Sequence, residues 1–377
     1  MTAGGRRWWL AAALALAACG GGDGQGPVDE GEPPVVGCSD GSTAGSLTRV
    51  CFPADWNGDL ILYAHGYVQP DAPLTIPDNV IGGTAVEDLV NATGYAYATT
   101  SYRANGLVAD VAVSDMVELE EMVRRTVRPD PVRVYIVGVS EGGLVAALAV
   151  EREPDRYTGV LAACGPIGDF ARQIDYFNDV RVVFDYFFPG VIPGSADEPP
   201  EEARTGWTST YAPAVTAAVA ADPGAALELA AVTGIPSDGA DPADLAEAVA
   251  GILWYNVFGT ADARERLGGQ PYDNEDRVYE GSSDDPALNA GVARFAADPA
   301  ARSALGRFET GGEPTAPISI IHTTGDPIVP FFHQPLYQEK VAAAGRSELL
   351  HRSDVERPGH CAFTSTELLA AFAALPR

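Results

Sequence analysis

A serine in a glycine-flanked turn is the residue of this 377-residue chain best placed to act as a nucleophile. Ser140 lies at the centre of a Gly-x-Ser-x-Gly pentapeptide that begins at Gly138 and ends at Gly142. A serine hydroxyl attacks a carbonyl group when a base removes its proton and the backbone holds its oxygen exposed. The two glycines permit the tight turn that meets the second requirement. Ser140 is therefore the candidate nucleophile, and a turn serine without catalytic work is the alternative.

Two later residues can supply a base and the carboxylate that orients it. Asp326 lies in a Gly-Asp-Pro turn after a predicted strand, and His360 lies in a glycine-flanked loop after the last predicted strand. A histidine that takes the serine proton needs its far ring nitrogen held by a carboxylate. The order Ser140, Asp326, His360 thus predicts a catalytic triad.

Other residues of the same types compete for these roles. His333 is the alternative base, although it lies just past Asp326 and not after the last strand. Asp354 is the alternative acid, and Asp169 could bind substrate or cap a helix. Structural roles are expected for the remaining histidines, which are His65, His322 and His351.

Several classes of function are disfavoured by the composition and by missing motifs. The formal net charge is -28, with 52 acidic and 24 basic residues, which argues against binding nucleic acid or an anionic membrane surface through charge. The histidines and cysteines lack metal-ligand spacing, and neither a phosphate loop nor a dinucleotide fingerprint is found. We expect no metal and no cofactor. The sequence does not indicate an oligomeric state.

Strand-like and helical runs alternate around the candidate triad. Apolar strands are predicted at 59–64, 95–101, 132–137, 159–163, 317–322 and 348–351, and helices at 84–92, 112–127, 144–150, 334–344 and 366–375. Alternation of this kind predicts an α/β fold, a mainly parallel sheet with helices on both faces.

The alternation stops between residues 168 and 312, and we call this segment the insertion. Four Asp-Pro pairs, beginning at 222, 241, 285 and 298, precede Ala/Leu-rich stretches. Asp at an N-cap followed by Pro at the first helical position predicts a helix start, so the insertion should be mainly helical. Its aromatic residues between 174 and 192 should mostly form its own core, and some should face the cleft of a lidded site.

The first residues indicate export. Residues 1–19 combine an early Arg pair with an apolar run too short to span a membrane, as in a cleaved signal. Leu16 to Cys19 is similar to a bacterial lipobox, which implies acylation of Cys19, and an ordinary signal peptide is the alternative. Residues 20–36 are predicted to be a flexible tether, so the protein would be exported and lipid-anchored to the bacterial cell envelope.

Four further cysteines suit an oxidising compartment. Cys38 and Cys51 flank a Gly/Ser/Thr turn and should form a disulfide across an N-terminal hairpin. Cys164 and Cys361 each lie next to the candidate active site, and we hypothesise a second disulfide between them because cysteines pair evenly in an oxidising compartment.

The chain resembles the α/β-hydrolase superfamily in several sequence features. They are the order of the triad, the His65-Gly66 turn, the Gly138 to Gly142 elbow, Gly325-Asp326 and Gly359-His360. The resemblance covers roughly residues 45–167 and 313–377, and it implies a lid inserted after the sixth core strand. It implies a hydrolase core at 37–167 and 313–377 and a helical lid at 168–312.

The same resemblance implies a role for each site residue. Ser140 would be the nucleophile, His360 the general base and then acid, and Asp326 its orienting partner. The oxyanion hole would be formed by the backbone N–H groups of Tyr67 and Glu141.

Within the superfamily the chain resembles exported bacterial carboxylesterases, including polyester hydrolases and feruloyl-type esterases. This implies cleavage of small or polymeric carboxylic esters, with membrane contact through the N-terminal lipid only. Some secreted tannase-like and feruloyl esterases bridge a cysteine before the serine to one after the histidine, whereas here Val139 precedes Ser140. The alternatives are an exported prolyl- or tripeptidyl-type aminopeptidase with the same triad and a non-catalytic surface binding lipoprotein.

Overall fold

A computed structural model describes residues 35–127, 129–237 and 241–376, and an eight-stranded sheet is its centre. The strand order across the sheet is β1-β2-β6-β3-β7-β8-β9-β10. Its strands are β1 (Gly37–Thr43), β2 (Ser46–Phe52), β3 (Leu60–Ala64), β6 (Ala96–Thr100), β7 (Val134–Val139), β8 (Gly159–Ala163), β9 (Ile318–Gly325) and β10 (Leu350–Pro358). Two short strands, β4 (Val80–Ile81) and β5 (Thr84–Ala85), form a separate ribbon.

The predicted mainly parallel sheet is confirmed. β1 and β2 pair antiparallel, and β2 is antiparallel to β6, whereas every other pair in the sheet is parallel. All five residues of β3 and of β8 are buried, as expected for strands covered on both faces.

Helices cover the two faces of this sheet. The helices outside the insertion are α1 (Val86–Asn91), α2 (Ala109–Thr126), α3 (Glu141–Arg152), α11 (His333–Ala343) and α12 (Ser365–Ala373). The larger core cluster joins α2 and α3 to side chains such as Leu62 and Ile136. Two smaller clusters lie under α1 and α12 on the opposite face, where Tyr63 and Leu161 point.

The insertion lies between β8 and β9, the sixth and seventh strands of the main sheet, and the described residues between these two strands form no strand. Its helices are α4 (Phe170–Phe187), α5 (Glu201–Thr205), α6 (Ala212–Ala221), α7 (Pro223–Thr233), α8 (Pro242–Leu267), α9 (Asp285–Gly291) and α10 (Pro299–Ala304). It has a core cluster of its own that includes Tyr176, Phe184 and Phe188, as predicted for most of its aromatic residues.

The Asp-Pro pairs begin helices, with one shift and one difference in capping. The side chains of Asp222 and Asp241 accept N–H groups in the first turns of α7 and α8. α9 begins one residue early, because Asp284 and not Asp285 is its N-cap. α10 begins after Asp298, but that side chain accepts the backbone N–H of Gln270 at 2.7 Å instead of capping the helix.

The last strand is longer than the sequence pattern predicts. β10 runs from Leu350 to Pro358, so His351 lies near its start and does not close it, and Asp354 lies within it and does not follow it. β10 is an edge strand that pairs only with β9, and its side chains are half-buried or exposed. Polar residues are tolerated there, so no apolar run marks the strand.

The predicted export signal, the acylation site Cys19 and residues 20–34 of the tether lie outside the described residues. In the described ranges no single helix is long and apolar enough to cross a bilayer. The segments Trp207–Ala221 and Pro223–Thr233 meet the length and composition only as a pair, with a bend of 104° between them.

Candidate active site

The structure brings Ser140, His360 and Asp326 into one hydrogen-bonded chain. Ser140 Oγ lies 2.9 Å from His360 Nε2, and His360 Nδ1 lies 2.7 Å from Asp326 Oδ2. The serine follows β7, the aspartate follows β9, and the histidine lies in the loop after β10. The carboxyl ends of these parallel strands meet at one edge of the sheet, and the three side chains meet there.

The turn between β7 and α3 holds the serine in an unusual backbone conformation. Ser140 has φ 59° and ψ -125°, a strained conformation for a residue with a side chain. A Cβ atom at Gly138 would overlap the carbonyl of Gly142, and one at Gly142 would overlap the carbonyl of Ala64. Both predicted elbow glycines are therefore required by close backbone approach, which is how such a turn exposes its serine.

The predicted oxyanion donors lie beside the serine. Glu141 is the first residue of α3, so its backbone N–H has no acceptor within the helix. Gly66 packs against Ser140, because a Cβ atom there would lie 3.2 Å from the serine Cβ. Tyr67 follows Gly66 and lines the same cavity as Ser140 and Glu141. The assignment of the two N–H groups to an oxyanion hole stays a prediction.

Asp326 is buried and ionised. Burial alone opposes its charge, but the neighbouring rings of His360 and His322 outweigh it and hold its pKa well below the ordinary value. Its Oδ1 accepts the backbone N–H groups of Ile328 and Val329, each at 2.9 Å. A carboxylate held in this way can orient an imidazole and stabilise the imidazolium that forms.

His322 belongs to this site, although the sequence pattern predicts an ordinary core or rim residue. Its Nε2 lies 2.8 Å from the carbonyl of Val329 and 3.4 Å from Asp326 Oδ2, and the ring is fully buried. His322 and Asp326 are four residues apart around the end of β9, and that spacing is the only signal in the sequence. His322 and His360 thus both lie beside Oδ2 of Asp326, and His322 is a positioning residue for this carboxylate.

The alternative base His333 and the structural histidine His65 have other contacts. His333 Nδ1 accepts the N–H of Gly168 at 3.0 Å, its Nε2 contacts Gln173 Oε1 at 2.9 Å, and burial lowers its pKa well below the usual value. The ring of His65 stacks on Tyr102 with 4.0 Å between ring centroids.

The alternative acid Asp354 and the second candidate carboxylate, Asp169, also have local partners. Asp354 forms an ion pair with Arg352 at 2.7 Å on the exposed edge of the sheet. Asp169 accepts the N–H of Arg172 at 2.8 Å as the N-cap of α4, which is the helix-capping role. Neither carboxylate is a partner of His360 in this structure.

Both predicted disulfides are present. Cys38 and Cys51 join β1 to β2, and Cys164, directly after β8, is bonded to Cys361. Two disulfides indicate an extracellular or otherwise exported protein. Among the described residues, Asp326, His360 and Cys361 have donor atoms within 4.8 Å of one another, but the sulfur of Cys361 is bonded to Cys164 and the other two belong to the triad arrangement.

A cavity beside Ser140 has a largely apolar and aromatic lining, and α4 and α8 contribute about half of the lining residues. Phe177 of α4 stacks on Tyr255 of α8 with 5.1 Å between ring centroids and 8° between ring planes. Tyr255 in turn lies 5.8 Å from the ring of Tyr67. Phe177 is thus one of the predicted aromatic residues that face the cleft.

Part of the chain has the sequence pattern of a known family. The prolyl oligopeptidase family, a peptidase family, matches residues 89–177, which include the elbow and Ser140. No curated protein sequence matches the chain significantly.

Among solved structures, feruloyl esterase B from Aspergillus oryzae has a TM-score of 0.50 at 14% identity, over 86% of this chain and 73% of that one. Acylaminoacyl peptidase from Pyrococcus horikoshii has a TM-score of 0.43 at 11% identity, over 88% of this chain and 39% of that one. Est1E from Butyrivibrio proteoclasticus has a TM-score of 0.41 at 15% identity, over 89% of this chain and 95% of that one. The sheet order, the elbow and the likeness to the feruloyl esterase show that the chain has the α/β-hydrolase fold, and it carries the Ser-His-Asp arrangement of a serine hydrolase.

Proposed function

We propose that this protein cleaves carboxylic esters through an acyl-enzyme on Ser140. The observation that carries the proposal is the unbroken chain of hydrogen bonds from Ser140 through His360 to Asp326 beside an apolar cavity. Each of the three groups is held by contacts that suit its role. The alternative base His333 and the alternative acid Asp354 are occupied elsewhere.

The geometry supports the following sequence of steps. His360 Nε2 takes the proton of Ser140 as Oγ attacks the ester carbonyl, and Asp326 stabilises the resulting imidazolium. The N–H groups of Tyr67 and Glu141 stabilise the tetrahedral oxyanion. Its collapse transfers the acyl group to Ser140 while His360 gives its proton to the departing alcohol. Water, with its proton taken by His360, then releases the acid.

The cavity favours an ester over a peptide with a free amino terminus. An aminopeptidase needs an ionised carboxylate to hold the substrate's ammonium group. Among the described side chains that line the cavity, the acidic one is Glu141, and burial raises its pKa to about 8. A carboxyl group that is mostly neutral at pH 7 is a poor partner for an ammonium ion. The exported aminopeptidase with the same triad remains the second candidate, because residues 89–177 match a peptidase family.

The side chains that line the cavity also favour one class of ester substrate. Aromatic side chains such as Phe177 and Tyr255 suit acyl or aryl groups of moderate size, including units of a polyester. We propose that residues 168–312 act as the lid of this cavity, because α4 and α8 supply much of its lining. Acylation at Cys19 would place the enzyme at the cell envelope.

The test compares the rates at which the protein cleaves ester substrates and matched amide substrates. We expect hydrolysis of 4-nitrophenyl butyrate and of a 2-naphthyl ester, with little cleavage of aminoacyl 2-naphthylamides. Faster cleavage of the amides would contradict the esterase function and support the aminopeptidase function. If neither bond is cleaved and Ser140 is not labelled by a fluorophosphonate, the non-catalytic binding lipoprotein takes their place.

A further inference from the structure

Two polar atoms at the cavity have no role in the mechanism and no partner among the described residues. They are the hydroxyl oxygen of Tyr67 and Oε2 of Glu141, and both are buried without a hydrogen bond. The residue Glu141 as a whole is 7% exposed. Buried polar atoms are nearly always paired, so two orphans beside a candidate nucleophile need a reason.

The other polar side chains along this cavity are already paired. Gln173 contacts the carbonyl of Ile328 and the ring of His333. Asn178 and Thr260 bond to each other at 3.3 Å, and Asn178 also accepts from Asn256. Among the polar side chains that line the cavity, the buried atoms without a hydrogen bond therefore belong to Tyr67 and Glu141, which lie beside Ser140.

The contacts of Glu141 favour a proton on Oε2 over one on Oε1. Oε1 accepts the backbone N–H of Val108 at 3.0 Å, so it must present a lone pair. Burial raises the pKa of this carboxyl to about 8, so the group is mostly neutral at pH 7. The proton of the neutral carboxyl then resides on Oε2, which makes the orphaned atom a donor. The phenol of Tyr67 is a second donor, because burial raises its pKa well above 10.

The charged and titratable groups around Glu141 come from several elements. α8 contributes Asp262 and Arg266, which pair with each other at 2.7 Å, and Arg266 also donates to the carbonyl of Asn105. The phenols of Tyr67, Tyr102 and Tyr255 surround the carboxyl. Arg266 is thus committed to Asp262 and is not the ion-pair partner of Glu141.

We propose that Tyr67 Oη and Glu141 Oε2 form a subsite that donates hydrogen bonds to an uncharged oxygen of the substrate, a carbonyl or ether oxygen on the group that enters the cavity. Two donors suit the lone pairs of one oxygen, and the apolar walls disfavour a carboxylate. An ester with a second oxygen along its chain, such as an oligoester unit or a keto acid ester, fits this chemistry. Both atoms are buried in this structure, so the residues around them must shift when an oxygen of the substrate binds.

This inference rests on the proposed esterase function, and its test separates the two. The substrates are 4-nitrophenyl octanoate and its 5-oxo, 6-oxo and 7-oxo analogues, compared by kcat/KM at pH 7. A hydrogen-bonding subsite should favour at least one oxo analogue by about tenfold over octanoate. Tyr67→Phe, which keeps the backbone N–H, should remove most of that preference, measured as the ratio of kcat/KM for the oxo analogue to kcat/KM for octanoate. Tyr255→Phe removes another phenol from the cavity and should leave the preference unchanged.

The pH dependence of the same kcat/KM ratio shows whether Glu141 donates a hydrogen bond to the substrate or only supports the fold. Ionisation of Glu141 above about pH 8 replaces its donor with a negative charge, so the preference for the oxo analogue should fall between pH 7 and 9. Any ionisation that affects the hydrolysis of both substrates equally cancels in the ratio. Glu141→Gln keeps an N–H donor that does not ionise, so it should keep the preference at pH 9.

Three results would overturn the subsite while the esterase stands. The first is equal rates for octanoate and all oxo analogues, and the second is a preference that Tyr67→Phe leaves intact. The third is a loss of preference in Tyr255→Phe as large as the loss in Tyr67→Phe. If no ester of the series is hydrolysed, the proposed function fails and the subsite fails with it.

Discussion

Cys361 directly follows His360, and its sulfur is bonded to Cys164, the residue that directly follows β8. β8 lies beside β7, the strand that leads into Ser140. The disulfide therefore ties the loop of the candidate base to the strand next to the elbow. Both cysteines have positive φ, 47° for Cys164 and 52° for Cys361, so the bridge holds two tight backbone turns in place.

Removal of this bridge should affect activity more than fold. In the double variant Cys164→Ala/Cys361→Ala we expect kcat for 4-nitrophenyl butyrate to fall by about 100-fold, since small misplacement of a catalytic group has costs of that order. Far-UV circular dichroism should change little. The matched control Cys38→Ala/Cys51→Ala removes the hairpin disulfide and should leave kcat nearly unchanged. Equal losses of activity in both variants would show that the Cys164–Cys361 bridge does not position His360.

Asp326→Asn should leave the fold intact and nearly abolish turnover. The amide cannot hold His360 in the tautomer that accepts the serine proton, and the expected loss in kcat is about 10⁴-fold. Asp354→Asn is the matched control, because Asp354 is the alternative acid and pairs with Arg352 at the exposed sheet edge. Steady-state hydrolysis measures both variants. A larger loss in Asp354→Asn would mean that the acid has been misassigned.

Glu141 should make the protein less stable as the pH rises. Its pKa is about 8 in the folded protein and 4.5 when exposed, so between these values the folded state holds an extra proton. The free energy of unfolding therefore falls as pH rises from 4.5 to 8, by at most about 5 kcal/mol at 1.36 kcal/mol per pKa unit. Urea denaturation at pH 5 and pH 9 should show this fall in the parent protein and a smaller one in Glu141→Gln. An identical fall in the variant would assign the effect to other groups.

Arg181 should hold the insertion together. Its fully buried side chain donates to Asp185 at 2.8 Å and to the carbonyl of Ile192 at 3.1 Å. Arg181→Met leaves these acceptors without a donor, and we expect a loss of about 3 kcal/mol in the free energy of unfolding. Arg125→Met is the matched control: Arg125 is 63% exposed and pairs with Glu121 in the same i, i+4 manner, so its loss should stay below about 1 kcal/mol. Similar losses in thermal denaturation would contradict the assigned role.

The parts of the fold that sequence patterns predict well are those with strong local signals. The alternation around Ser140, the glycines at 138 and 142, and the Asp-Pro pairs at 222 and 241 are short-range features with one physical interpretation each. Two acids in succession, Asp284 and Asp285, offer two N-caps one residue apart, so the pattern misplaces the start of α9. The pattern also makes β10 too short, because an edge strand does not need apolar residues.

The parts of the site that sequence patterns miss depend on tertiary packing. His322 contacts Asp326 because the chain turns sharply after β9, and an i, i+4 spacing at a strand end does not predict such a contact. Glu141 is buried among residues that are distant in the chain, from Val108 to Asp262 of α8, and this burial raises its pKa. Neither property is encoded near residue 141.

The proposed chemistry depends above all on Ser140 being a nucleophile that His360 activates. The most direct measurement is mass-spectrometric mapping of a fluorophosphonate adduct, together with 4-nitrophenyl butyrate hydrolysis, on the purified protein and on Ser140→Ala. We predict a single adduct on Ser140 in the parent protein, and loss of both the adduct and turnover in the variant. An adduct on another residue, or turnover that survives in Ser140→Ala, would contradict this role for Ser140.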